Sequence, residues 1–206
     1  MTFPSVVGST GYASSGAVTS WDIFSGVSVA KGSILVIGGG ETNAVLSTAS
    51  TGWVKLGQSS SSPGTGGVVS AIFYASAANT AFTLASDTSS KFTAVLFRTT
   101  GGGTVSATST TNSADPPSHS ISSTRDALWV AANIIDGTNP SAAPSGYSGF
   151  YVKVGDPANG ADVAVSYRTN AASSENPGAF TGGVSTGVVW TIALYRRRKV
   201  RCGGTL

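Results

Sequence analysis

Four short apolar segments occur twice in this chain, in the same order. Lys31-Gly-Ser-Ile-Leu-Val-Ile37 returns as Arg125-Asp-Ala-Leu-Trp-Val-Ala131, and Thr51-Gly-Trp53 returns as Ser145-Gly-Tyr147. Ser70-Ala-Ile-Phe-Tyr74 returns as Val163-Ala-Val-Ser-Tyr167, and Phe92-Thr-Ala-Val-Leu-Phe-Arg98 as Trp190-Thr-Ile-Ala-Leu-Tyr-Arg196. The offsets are 94, 94, 93 and 98 positions. Near-constant offsets mean a shared order with insertions confined to loops. The repeated residues are apolar, aromatic and β-branched, the types that fit a pleated, half-buried surface. A set of packed strands is therefore what recurs, and no chemical motif recurs with it.

Eight main strands are expected, four per repeat. They cover about 34–38, 53–58, 68–75 and 92–98, then 128–133, 147–153, 163–169 and 188–195. Positions 34–37 are apolar without a break, as in strands covered on both faces. Clusters of Gly, Ser, Asn and Pro at 59–67, 136–146, 156–160 and 173–183 punctuate the runs. No stretch sustains a 3.6-residue apolar period, so almost no helix is expected. Each four-strand unit has an apolar face that it cannot bury alone, and facing the two units together solves this. The expected fold is all-β, a two-sheet antiparallel jelly-roll sandwich of two pseudo-repeated four-strand halves. In this reading residues 1–30 cap the sandwich or add a strand. Residues 31–195 are a single sandwich, with halves 31–98 and 125–195 and a linker at 99–124. Residues 196–206 are a basic C-terminal tail.

With 206 residues the chain can bury a sizeable core. Only 10% of residues are charged, against about 25% in ordinary domains. The net charge of +3 is unevenly placed, because residues 1–195 hold seven cations and nine acids. A body at −2 does not offer the basic stripe that a nucleic-acid groove needs, so nucleic acid is not an expected partner. The one cysteine, Cys202, excludes an intramolecular disulfide. No signal peptide, membrane span or permissible Asn-x-Ser/Thr site is read.

Each chemical motif has a bland reading beside it. His119, the one histidine, lies in Asp115-Pro-Pro-Ser-His-Ser120 and reads as a solvated loop residue. The acids are scattered beside turn residues with none mid-strand, which suits turns and caps better than paired catalytic carboxylates. Gly38-Gly39-Gly40 lacks the spacing and the following helix of a phosphate loop. Asp156, Asn159 and Asp162 offer oxygen ligands for calcium, but their spacing is wrong for an EF-hand and an Asn-Gly turn accounts for them. No cofactor is expected. Tyr12, Trp21 and Phe24 fall outside the repeat, as sugar-stacking platforms or as seals on the end of the sandwich. Arg196, Arg197, Arg198, Lys199 and Arg201 form a cationic cluster, a candidate contact for an acidic partner or a solvated tail.

The order of these features resembles jelly-roll modules of tailed-bacteriophage virion proteins, of capsid-decoration or tail-fibre and adhesin type. The residues that carry the resemblance are the strand ending in Gly38-Gly39, Thr51-Gly-Trp-Val-Lys-Leu-Gly57, the Ser/Gly-rich 59–67, Ala71-Ile-Phe-Tyr74, Ala81-Phe-Thr-Leu84 and Ala94-Val-Leu-Phe-Arg98. It covers roughly residues 30–196 and supplies no catalytic residues. It implies a non-enzymatic virion surface protein, assembled in a bacterial cytoplasm. Such a protein docks on capsid or tail subunits through edge strands and termini, as a homo-oligomer within the particle. A carbohydrate-binding module for host-surface glycan is the alternative, and a hydrolase is disfavoured by the scattered acids.

Overall fold

The computed structural model describes residues 3–40, 43–61, 67–100, 103–155, 160–182 and 187–196. The strands in chain order are β1 (Val6–Ala13), β2 (Val18–Val29), β3 (Ile34–Gly39), β4 (Leu46–Thr48), β5 (Trp53–Ser60), β6 (Val69–Ala75) and β7 (Asn79–Ser90). They continue with β8 (Phe92–Thr99), β9 (Thr104–Thr111), β10 (His119–Ile135), β11 (Ser148–Lys153), β12 (Asp162–Glu175) and β13 (Gly187–Tyr195). The chain is all-β, and its sheets are antiparallel and packed as a sandwich.

The first sheet has the order β1-β8-β3-β6-β5 and the second β11-β12-β10-β13-β9. A third, three-stranded sheet has the order β2-β7-β4. In both five-stranded sheets the last strand in the chain lies between the first and the second. Ile34, Val36, Ile72, Val95 and Phe97 of the first sheet meet Leu128, Val130, Val163, Trp190 and Ile192 of the second in one core. On the opposite face of the first sheet, Leu35, Ile37, Phe73 and Leu96 meet Phe24, Phe82 and Leu84 of the third sheet. The first sheet is thus a middle layer, which is why Ile34 to Ile37 are apolar at every position.

Two sequence expectations change. The stretch 99–124, read as a linker, contains β9 and the beginning of β10. Its Thr and Ser side chains alternate with Val105 and Ala107, which pack into the core between the sheets. The strand matching at 92–98 also slips by one. Ile34 lies opposite Phe97, and Leu128, 94 positions on, lies opposite Leu194. Phe97 therefore takes the place of Leu194, an offset of 97 rather than 98. A one-residue slip reverses the faces of a strand. Phe92 accordingly packs under the third sheet, whereas Trp190 packs between the two five-stranded sheets.

The sheets approach closely where glycine permits it. A Cβ on Gly38 would lie 2.6 Å from Ile134 Cγ2, and one on Gly57 3.1 Å from the Trp190 ring. Within the second sheet, Gly149, at φ +61°, sits against the Tyr167 ring, which leaves no room for a Cβ.

Candidate functional site

The outer face of the second sheet departs from the apolar pattern elsewhere. Residues directly opposite one another in a ladder share a face. One row across this face reads Ser106, Ala193, Trp129, Arg168, and the next Thr108, Thr191, Ala131, Ser166. A third row reads Thr110, Val189, Asn133, Ala164. Trp129, Asn133, Ser166 and Thr191 are all buried. Among the described residues, the indole N–H of Trp129, both amide atoms of Asn133 and the hydroxyl of Ser166 make no hydrogen bond with another protein group. Buried polar groups of this kind cost about 1–3 kcal/mol each when left unpaired. The equivalent face of the first sheet, covered by β2 and β7, is a continuous apolar core.

The cover on this polar face is made by the chain on either side of one fold-back. The His119 and Trp129 rings meet edge-on at 6.2 Å. Ten extended residues would separate them by about 33 Å. The chain must therefore turn back, and it does so where the β10–β12 register shifts between Ser120 and Arg125. The segment 112–120 and its neighbour 174–182 then lie across the sheet. Thr191 Oγ1 donates to the Pro117 carbonyl at 2.6 Å, and the Phe180 N–H to the Ala114 carbonyl at 3.0 Å. Phe180 seats on Ala131 and Ala164, whose small side chains leave room for its ring.

Two polar contacts pin the fold-back on either side of Trp129. Ser106 Oγ and His119 Nε2 lie 2.8 Å apart. Arg168 and Glu175 form an ion pair at 3.3 Å, and Asn170 Nδ2 donates to the same carboxylate oxygen at 3.5 Å. The Arg168 guanidinium lies 5.7 Å from the centre of the Tyr147 ring. Burial lowers the His119 pKa below its ordinary 6.5, so its imidazole is neutral at pH 7. Burial, and next the Glu175 carboxylate, push the Tyr147 phenol up.

Serine, histidine and a carboxylate meet here, and the roles decide what they can do. In a catalytic triad the carboxylate orients the imidazole. Glu175 stands across the ladder from His119, but its carboxylate is engaged by Arg168 and Asn170. The arrangement pins a cover to a sheet. Sequence reading placed His119 in a solvated loop; it is half-buried at the start of β10. Ser106, Arg168 and Glu175 were not singled out, because no motif joins residues on three separate strands.

The other sequence candidates are dispersed. Phe24 is buried against Trp53 and Phe82 and offers no platform to a sugar. Tyr12 and Trp21 are half-buried at the margin of the same core, with Tyr12 5.9 Å from Phe24. The Tyr12 phenol is raised chiefly by burial, which Arg98 partly offsets. Asp162 is buried and accepts the Gly155 N–H at 2.5 Å, closing its own loop; Asp156 and Asn159 lie outside the described residues. Arg196 is exposed just after β13, while Arg197, Arg198, Lys199, Arg201 and Cys202 lie outside the described residues. Acids do occur within strands, contrary to the sequence reading: Asp22 in β2 accepts from the Thr83 hydroxyl at 2.6 Å.

An open depression of about 410 Å³ is lined by Ser28, Thr51, Gly52, Ala77, Asn79 and Thr80. The Asn79 amide there is already bonded to Thr51, Thr80 and Ala81. Among the described residues no helix is long and apolar enough to cross a membrane.

A scan against protein-family models found no match, and neither did searches of curated proteins and of solved structures.

Proposed function

We propose that this chain is a non-enzymatic structural subunit of a bacteriophage virion surface, of capsid-decoration or tail-fibre and adhesin type. In this reading the sandwich is two copies of one five-strand unit. Each copy is wound with its last strand between the first two, and the pair is related to the jelly-roll modules that the sequence resembles. The observation that carries docking is the open edge at β11. Among the described residues β11 pairs with β12 alone, so its other backbone edge has no ladder partner. Phe150 within it is 36% exposed, and Val154 just after it is 54% exposed. Natural proteins blunt such edges with charge or proline, because an open apolar edge recruits another chain. Here Lys153 is the one charge on the strand. An edge left open in this way suits a subunit whose neighbour completes it.

The cationic cluster at 196–201 adds a second contact in this reading. Five cations within six residues give a body at −2 one positive end. Contacts with an acidic neighbour would be screened over about 8–10 Å in physiological salt.

Incorporation into particles tests the proposal. Phe150→Asp with Val154→Lys, and separately a chain ending at Tyr195, are expected to melt close to the parent chain yet fail to join the particle. Raised salt is expected to weaken attachment of the parent chain. Normal incorporation of both variants would sink the docking assignment.

A further inference from the structure

The two covers on the sandwich are held by different forces. The third sheet is held on the first by buried rings and aliphatic chains, among them Phe24, Phe82, Leu84 and Leu46. The cover on the second sheet brings fewer large apolar side chains of its own, chiefly Phe180 with the buried Pro116 and Pro177, and Ile121 follows directly after it. It is fixed instead by the His119–Ser106 contact, the Glu175–Arg168 pair and the Thr191–Pro117 bond. Beneath it lie the Trp129 indole N–H, the Asn133 amide and the Ser166 hydroxyl, without partners among the described residues. Closure keeps these groups from water, whereas lifting hydrates them or offers them to another molecule. A cover with little apolar seal over polar groups belongs to the low-stability end of a structure.

We propose that segments 112–120 and 174–182 form a lid on the outer face of the second sheet, which lifts as a unit while the sandwich stays folded and lifts more readily in acid. The far end of the lid is tied to the neighbouring loop, where Ser141 N–H donates to the Thr181 carbonyl at 2.8 Å and Thr181 N–H to the Ala142 carbonyl at 3.2 Å.

The acid response comes from His119. The charged groups on its face are Glu175 and Arg168 of β12, which are paired with each other, and Arg125 of its own strand. β9 presents uncharged Ser106, and β13 presents Tyr195. Closing the lid buries the imidazole, which disfavours its charged form. Its pKa is thus lower closed than open. The open lid binds the extra proton, so the stability of closure is at its full value above pH 6.5 and weakens as pH falls below it. The bound on this gain is about tenfold in the opening constant per pH unit below 6.5, from the ordinary histidine value.

Hydrogen exchange of the full chain at pH 7.5 and pH 5.5, corrected for the intrinsic rate, tests both parts. Peptides spanning 112–124 and 173–182 are expected to exchange well before those of β3 and β6, and up to about tenfold more readily at pH 5.5. His119→Gln, which keeps a polar group for Ser106 but does not titrate, is expected to abolish the pH response. Ser106→Ala leaves the imidazole in place, so it is expected to raise lid exchange at pH 7.5 and retain the response. Lid and core peptides exchanging together at both pH values would overturn the lid. A pH response unchanged in His119→Gln would overturn the switch.

Discussion

Trp190→Ala is expected to lower the unfolding free energy by about 3–5 kcal/mol, the range for removing a large aromatic from a core. The ring is 3% exposed and lies between the two five-stranded sheets. Its indole N–H donates to Ser70 Oγ at 3.0 Å, and the Ser70 hydroxyl donates to the Ile37 carbonyl at 3.0 Å. One side chain of the second sheet thus reaches across the core to the backbone of the first. Gly57 faces the far edge of the ring and has no side chain to move into the space. The cavity should therefore persist, which places the cost toward the upper end. Trp190→Phe separates packing from hydrogen bonding. It keeps most of the ring, and Ser70 retains its bond to Ile37, so a loss of about 1–2 kcal/mol is expected, near that of one hydrogen bond plus a smaller ring. Denaturant titration of both variants, with unchanged slope, is the measurement. A loss below about 1 kcal/mol for Trp190→Ala would mean that this ring does not join the sheets.

What the sequence reveals and what it hides follow from the same physics. The run Ile34 to Ile37 announces a strand covered on both faces, and it is the middle layer of the stack. The short aromatic runs at 92–98 and 190–196 announce strands, but their similarity cannot fix register. Apolar residues on both faces make Phe92 and Trp190 look equivalent, although they point to opposite sides of their sheets. β9 was hidden because an edge strand buries only alternate side chains and here fills the others with Thr and Ser. The grouping of Ser106, His119, Arg168 and Glu175 was hidden more deeply. It depends on a fold-back through Ile121-Ser-Ser-Thr124, which contains neither glycine nor proline to mark it. Open edges leave no sequence signal at all, since Phe150 and Val154 read like any other strand residues until a sheet order is known.

Phe82→Ala is expected to cost a similar 3–5 kcal/mol, but through a different part of the molecule. Phe82 is fully buried on β7, the middle strand of the third sheet. Its ring meets Trp53 edge-on at 5.0 Å and Phe73 at 5.1 Å, with Phe24 at 6.4 Å. Trp53 and Phe73 belong to the first sheet, so these rings join two sheets that share no ladder. Aromatic pairs of this geometry add about 0.5–1.5 kcal/mol each beyond area burial. The Trp53 indole N–H donates to the Ala81 carbonyl at 3.0 Å, one residue from Phe82, and anchors β7 at the same place. Removal of the ring should therefore loosen the third sheet before the sandwich. Amide exchange in 18–29 and 79–90 is expected to accelerate while 34–39 and 128–135 stay protected. Trp190→Ala should instead raise exchange in both five-stranded sheets together, because its ring lies in the core they share. If Phe82→Ala exposes all three sheets in one step, the third sheet is part of a single cooperative unit, and its rings stabilise the whole sandwich rather than the attachment of one layer.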